Sequence, residues 1–71
     1  MRFDLLSLKL FVAVCEHRSI SRAAEAENIA ASALSKRISH LEEMLKTPLF
    51  VRSNKGLELT PAAHPLLHHS R

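Results

Sequence analysis

Along this chain, hydrophobic positions recur at helical spacing three times and then alternate briefly. Leu5, Leu8, Phe11, Val12 and Cys15 follow steps of three and four, which predicts an amphipathic helix over residues 4–17 with Asp4 as its N-cap. Ser19-Ile20-Ser21 opens a second helix, capped by Ser21 or Ser19. Ala23 and Ala24 within it are small enough for a crossing helix to pack closely. Asn28 is its natural stop, because Asn tolerates the left-handed conformation just past a helix end, and Ile29 is placed to plug the core at the turn. A third helix is expected over 31–45. Its apolar stripe is Leu34, Ile38, Leu41 and Leu45, and at roughly 100° per residue the opposite side presents Ser32, Ser35, Lys36, Ser39 and His40.

Pro48 closes that helix and favours an extended Thr47. Leu49-Phe50-Val51-Arg52 and Leu57-Glu58-Leu59 read as short strands around the turn Ser53-Asn54-Lys55-Gly56, where Gly56 supplies a positive φ. The hairpin forms a wing with Arg52 and Lys55 near its tip. Thr60-Pro61 is a helix-start signal, with Thr as cap, and Leu66 and Leu67 would bury one edge of a fourth helix. Pro65 falls just inside that helix, where it is expected to delete a backbone hydrogen bond and produce a kink or a poor start.

Size and composition narrow the chemistry. A chain of 71 residues is one small domain, burying only about 60% of its unfolded surface. Its single cysteine, Cys15, excludes an internal disulfide and lies on an apolar stripe, as a small buried thiol. One glycine leaves no phosphate-cradling loop, and no nucleophile elbow or HExxH pattern appears, so an enzyme is not indicated and no cofactor is expected. His64 and His68 are four apart with His69 beside them, but Pro65 disturbs the helix that would align them, so they read as solvated rather than metal-binding. No apolar run approaches the roughly 18 residues of a membrane span. Asp4 and Lys9 interrupt the N-terminal run against a signal peptide, so a soluble cytoplasmic location is expected.

Charge is localised. Residues 18–55 hold seven cations (Arg18, Arg22, Lys36, Arg37, Lys46, Arg52, Lys55) and four anions (Glu25, Glu27, Glu42, Glu43), which accounts for the whole net charge of +3. A surplus confined to the middle segment points to a polyanionic partner there. The third helix fits such a partner. Small side chains let its backbone approach base edges in a DNA major groove, and the flanking cations meet phosphates.

Three segments in order, LLSLKLFVAVCEHRSISRAA, NIAASALSKRISHLEEML and TPLFVRSNKGLELTPAA, resemble the DNA-binding domain of LysR-type transcriptional regulators over nearly the whole chain. The resemblance implies a mainly α fold, a winged helix-turn-helix with a three-helix core and a two-stranded wing over 1–58, then a linker helix from 59–71 through which two subunits pair. It places the base-reading face on Ala31, Ser32, Ser35 and Lys36, with His40 on the same outer side, and phosphate contacts on Arg22, Arg37 and the wing residues Arg52, Ser53 and Lys55. Double-stranded DNA is the implied partner, with a homodimer through Leu66 and Leu67. Full-length members continue into an effector-binding domain; this chain stops inside the linker helix, so no small-molecule effector is expected to bind to it.

Some positions depart from the family pattern. Ala31 stands where Gln is frequent and Lys36 where Arg is common, so base recognition leans toward methyl contacts and DNA shape. Ala30 replaces a usual capping Ser. Glu27 replaces a usual Leu and is expected to turn outward, leaving that corner under-packed. A helix-turn-helix used only for protein contact would show the same apolar stripes; it differs in predicting binding that ignores DNA and salt.

Overall fold

The computed structural model describes the backbone of residues 5–54 and 56–70. The expected cap Asp4 and the wing-tip Lys55 lie outside the described residues. Four helices and one hairpin follow in order: α1 (Leu5–His17), α2 (Ile20–Glu27), α3 (Ala31–Leu45), β1 (Phe50–Ser53), β2 (Gly56–Leu59) and α4 (Ala63–Ser70).

Local chemistry sets the ends of the first three helices. Ser19, in extended conformation, caps α2 by accepting the Arg22 N–H at 3.2 Å. Asn28 then turns left-handed (φ 60°), and the Asn28 and Ile29 amides donate to the Glu25 and Ala24 carbonyls. Ala30 precedes α3 without a side-chain cap, as its methyl dictates. The end of α3 is set earlier than Pro48: Lys46 adopts φ 55° and Thr47 N–H donates to Glu42 O at 3.1 Å. Arg18 closes α1 the same way, at φ 52° with its N–H on Val14 O at 2.8 Å. Three non-glycine residues thus occupy a region that costs an L-residue about 1–2 kcal/mol.

The core joins Phe11, Leu10 and Val14 of α1 to Ala23 and Ala24 of α2, Leu34, Ile38 and Leu41 of α3, and Leu49 and Ala63. Ile29 and Leu45 pack partly buried against it, and Cys15 is buried. The face of α1 differs from the expected stripe. Leu5 is 84% exposed and Leu8 and Val12 are half-buried, whereas Leu10, Ala13 and Val14 are buried. The reason is that α1 packs against α2, α3 and α4 together, so its apolar positions meet neighbours on several sides and no single stripe defines the buried face.

Glu27 also departs from expectation. Rather than turning outward it lies half-buried, with its side chain 22% exposed, and pairs with Lys9 of α1 at 3.5 Å. The carboxylate takes its partner from the adjacent helix, which relieves the cost of partial burial.

The two strands pair antiparallel, Phe50 opposite Leu59 and Ser53 opposite Gly56, so the wing ends at Leu59, where the strand reading placed it. Gly56 has φ 106°, as the turn demands. Phe50 anchors the hairpin on the core, its ring 5.6 Å from that of Phe11. Thr60 does not cap the fourth helix: its Oγ1 donates to Pro48 O at 2.7 Å and its N–H to Leu49 O at 2.9 Å. The helix starts instead at Ala63, bonded to Thr60 O at 3.0 Å. Pro65 consequently falls in the first turn, where backbone N–H groups have no intrahelical acceptor, so the expected loss of a hydrogen bond does not arise. Among the described residues no helix is long and apolar enough to cross a membrane.

Replacing Glu27 with Leu removes a solvent-screened pair whose Lys9 partner is 69% exposed and adds apolar contact at a half-buried site. We expect Glu27→Leu to raise stability by about 1 kcal/mol in urea unfolding; a loss of that size would show the pair to be structurally required.

Candidate nucleic-acid interface

The helix-turn-helix is α2, the turn Asn28-Ile29-Ala30 and α3. Leu34, Ile38 and Leu41 fasten α3 from one side, with Leu34 fully buried. Ala31, Ser32, Ser35, Lys36, Ser39 and His40, by contrast, are all exposed, together on the other side. Residues 31–40 contain no carboxylate, so nothing on this stretch of the face repels an anion; the exposed Glu43 lies one turn beyond Ser39. Hydroxyls, one ammonium and the His40 imidazole are the polar groups it offers, and these suit guanine acceptors or phosphate oxygens.

Cations flank this face. Arg22 is exposed on α2. Arg37 is exposed on α3 and its Nη1 donates to Ser7 Oγ on α1 at 3.4 Å, which tethers it toward the N-terminal helix. Arg52 is exposed on β1; Ser53, beside it, donates from Oγ to Gly56 O at 3.1 Å and so tightens the turn. The structure therefore brings the residues expected to read bases onto one helix, and leaves the expected phosphate-binding arginines solvent-accessible on α2, α3 and β1. Leu66 and Leu67 of α4 are half-buried against the domain's own core, leaving part of each uncovered. His64 and His68 are exposed, and among the described residues no group of three His, Cys, Asp or Glu is gathered.

One residue that matters here escaped the sequence reading. Glu42, on the last turns of α3, accepts the Leu49 N–H at 2.7 Å and the Phe50 N–H at 3.3 Å through one carboxylate oxygen. This clamp joins the helix that bears the outer face to the first strand of the wing. With the Thr60 bonds to Pro48 and Leu49, it fixes both ends of the hairpin base. The signal was faint: a Glu seven and eight positions before a Leu-Phe pair is legible only once the chain's reversal at Lys46 is known.

The family comparison agrees with this arrangement. A model of the family described as bacterial regulatory helix-turn-helix protein, lysR family, matches residues 5–64. The chain belongs to the LysR family. It is 48% identical over 60 residues to the HTH-type transcriptional regulator YofA of Bacillus velezensis, covering 84% of this chain and 21% of that protein. It is 44% identical over 63 residues to the HTH-type transcriptional activator IlvY of Salmonella typhimurium, covering 89% of this chain and 21% of that one. The chain thus spans about a fifth of the length of these curated relatives. Among solved structures it resembles the DNA-binding domain of BenM in complex with catB site 1 DNA (TM-score 0.90, 35% identity, 96% of this chain and 76% of that one). It likewise resembles the CbnR DNA-binding domain in its DNA complex (TM-score 0.90, 32% identity, 97% and 79%). These likenesses bear out the winged helix-turn-helix fold of this LysR-type domain.

Loss of the clamp leaves two partly buried amides short of an acceptor. Glu42→Ala is expected to destabilise the domain by about 1.5–3 kcal/mol, with the Leu49 and Phe50 amides losing hydrogen-exchange protection first; unchanged protection at those two positions would contradict the clamp.

Proposed function

We propose that this domain binds double-stranded DNA sequence-specifically, as a transcriptional regulator, with α3 in the major groove and the wing on the backbone or minor groove. The observation that carries the reading is the exposed face of α3 over residues 31–40, which holds no carboxylate, with Arg22, Arg37 and Arg52 solvent-accessible, on a fold shared with domains solved on DNA. Ser32, Ser35 and Lys36 face base edges, the Ala31 methyl meets a thymine methyl, and His40 lies further along the same side. Arg22, Arg37, Arg52, Ser53 and Lys55 meet phosphates and set the register of the helix. No catalytic step is assigned to any residue.

The partner is duplex DNA held by two copies of the chain. Pairing through α4, using the uncovered parts of Leu66 and Leu67, would set two recognition helices one or more DNA turns apart. Residues 1–58 form the DNA-binding unit and 59–71 begin the pairing helix, and a DNA-binding regulator of this kind works in the cytoplasm.

Affinity for duplex should fall linearly with the logarithm of salt concentration, at about 0.9 log units per phosphate neutralised. A flat salt response in a fluorescence anisotropy titration would instead point to a protein-only role. Within that titration, Lys36→Ala should reduce discrimination between a selected and a random duplex by about 1–3 kcal/mol, whereas Arg52→Ala should weaken both equally. An equal loss on both duplexes for Lys36→Ala would remove Lys36 from the base-reading set.

A further inference from the structure

A cleft of about 340 Å³ opens between the α1–α2 turn and the wing. Arg18, Ser19, Ile20 and Ser21 line one wall; Arg52, Ser53, Gly56 and Leu57 line the other. The walls are close together, since a methyl placed on Gly56 would lie 3.8 Å from the Arg18 carbonyl oxygen. Among the described residues, two of the eight that line it are arginines and none is acidic. Among the described residues neither guanidinium has an ion-pair or hydrogen-bond partner. Small-molecule pockets are usually lined mainly by apolar groups; here only Ile20 and Leu57 are apolar, and the rest offers cations, hydroxyls and backbone.

We infer that this cleft is a seat for one phosphodiester group of the DNA backbone, gripped from opposite sides by Arg18 and Arg52, with the Ser21 hydroxyl as a further donor. Arg18, counted until now only in the charge surplus of residues 18–55, thereby joins the DNA-contacting set by name. Its backbone explains how it gets there. At φ 52° it leaves the axis of α1 and begins the turn into α2, which sets the residue on the wall of the cleft. A glycine at this position would serve the turn with less strain, so the arginine is explained by its charge. The seat also gives the wing a defined job: Arg52 closes on the same phosphate from the far side, so wing and turn bracket one strand. This assignment rests on the DNA-binding reading and adds one named contact to it.

The test is a salt titration of duplex binding with native protein, Arg18→Gly, Arg52→Ala and the double variant. Arg18→Gly suits the left-handed turn, so a native-like thermal melt is expected; Arg18→Asn, also tolerant of that conformation, serves as the second variant. Losing one phosphate contact should reduce the salt slope by about one and weaken binding about five- to tenfold near ~0.1 M salt, equally on selected and random duplex. Because both arginines hold one group, the double variant should lose less than the product of the two single losses. Full multiplication would place them on separate phosphates and overturn the shared seat. If native protein binds with a steep slope while Arg18→Gly and Arg18→Asn bind as it does, the seat falls and the DNA reading stands; if native protein shows no salt-dependent binding, both fall. Inorganic phosphate followed by amide shifts is expected to leave Ser21 and Gly56 unsaturated at millimolar concentration. Saturation there, with duplex affinity unaltered by the phosphate, would assign the cleft to a free phosphate and overturn the backbone assignment.

Discussion

The structure depends on one asymmetry in α3. Leu34, Ile38 and Leu41 are taken into the core on one side, and the residues between them are left bare on the other. A helix of 15 residues is marginal alone in water, so the buried stripe is what keeps it helical. That frees the outer face from any duty to stabilise the fold. Serine and alanine, which add little helix strength, become affordable at 31, 32 and 35, where small size admits a close backbone approach. Every other element then follows from holding this helix: α1 and α2 supply the surface it packs on, and Ala23 and Ala24 let α2 come near.

The wing is positioned by the same helix through a different kind of contact. Glu42 reaches from α3 to the first amides of the hairpin, Thr60 ties the hairpin's exit to its entrance, and Phe50 packs its ring at a tilt against Phe11. A two-stranded hairpin is barely stable by itself, yet three independent attachments make this one part of the core. Arg52 and the α3 face therefore keep a fixed separation. That is what a surface needs if it is to meet a groove and the adjoining backbone together, since ordering a loose wing on binding would subtract from affinity.

Much of this was legible from the residues, and the parts that were not share a cause. Ser19 and Asn28 marked the limits of α2 because capping is a local event, decided by one side chain and its own neighbours. The α3 stripe was plain because polar residues interrupt it at regular intervals. On α1, by contrast, apolar residues occupy nearly every side, so periodicity gave no unique inner face and Leu5 was misplaced while Leu10 and Val14 were passed over. Thr60 looked like a cap by local rules, but a carbonyl twelve positions back in sequence took its hydroxyl. Glu27 and Glu42 followed the same pattern, since their partners come from other elements. For the interface, the exposed side of α3 at Ser32, Ser35, Lys36, Ser39 and His40 was readable from helical geometry, while Ala31 was added by the family resemblance. Arg18 was not, because its place on the cleft wall depends on a left-handed backbone that its residue type does not announce.

The central claim is that the exposed side of α3 meets nucleobases while its buried side stays fixed. It is tested most directly by following backbone and side-chain NMR signals of the labelled protein as a selected duplex is added. The account expects the largest shifts at Ala31, Ser32, Ser35 and Lys36, smaller ones around Arg52, and unmoved methyl signals from Leu34 and Ile38. Large shifts confined to α4 or α1, with the α3 signals unchanged at saturation, would contradict it.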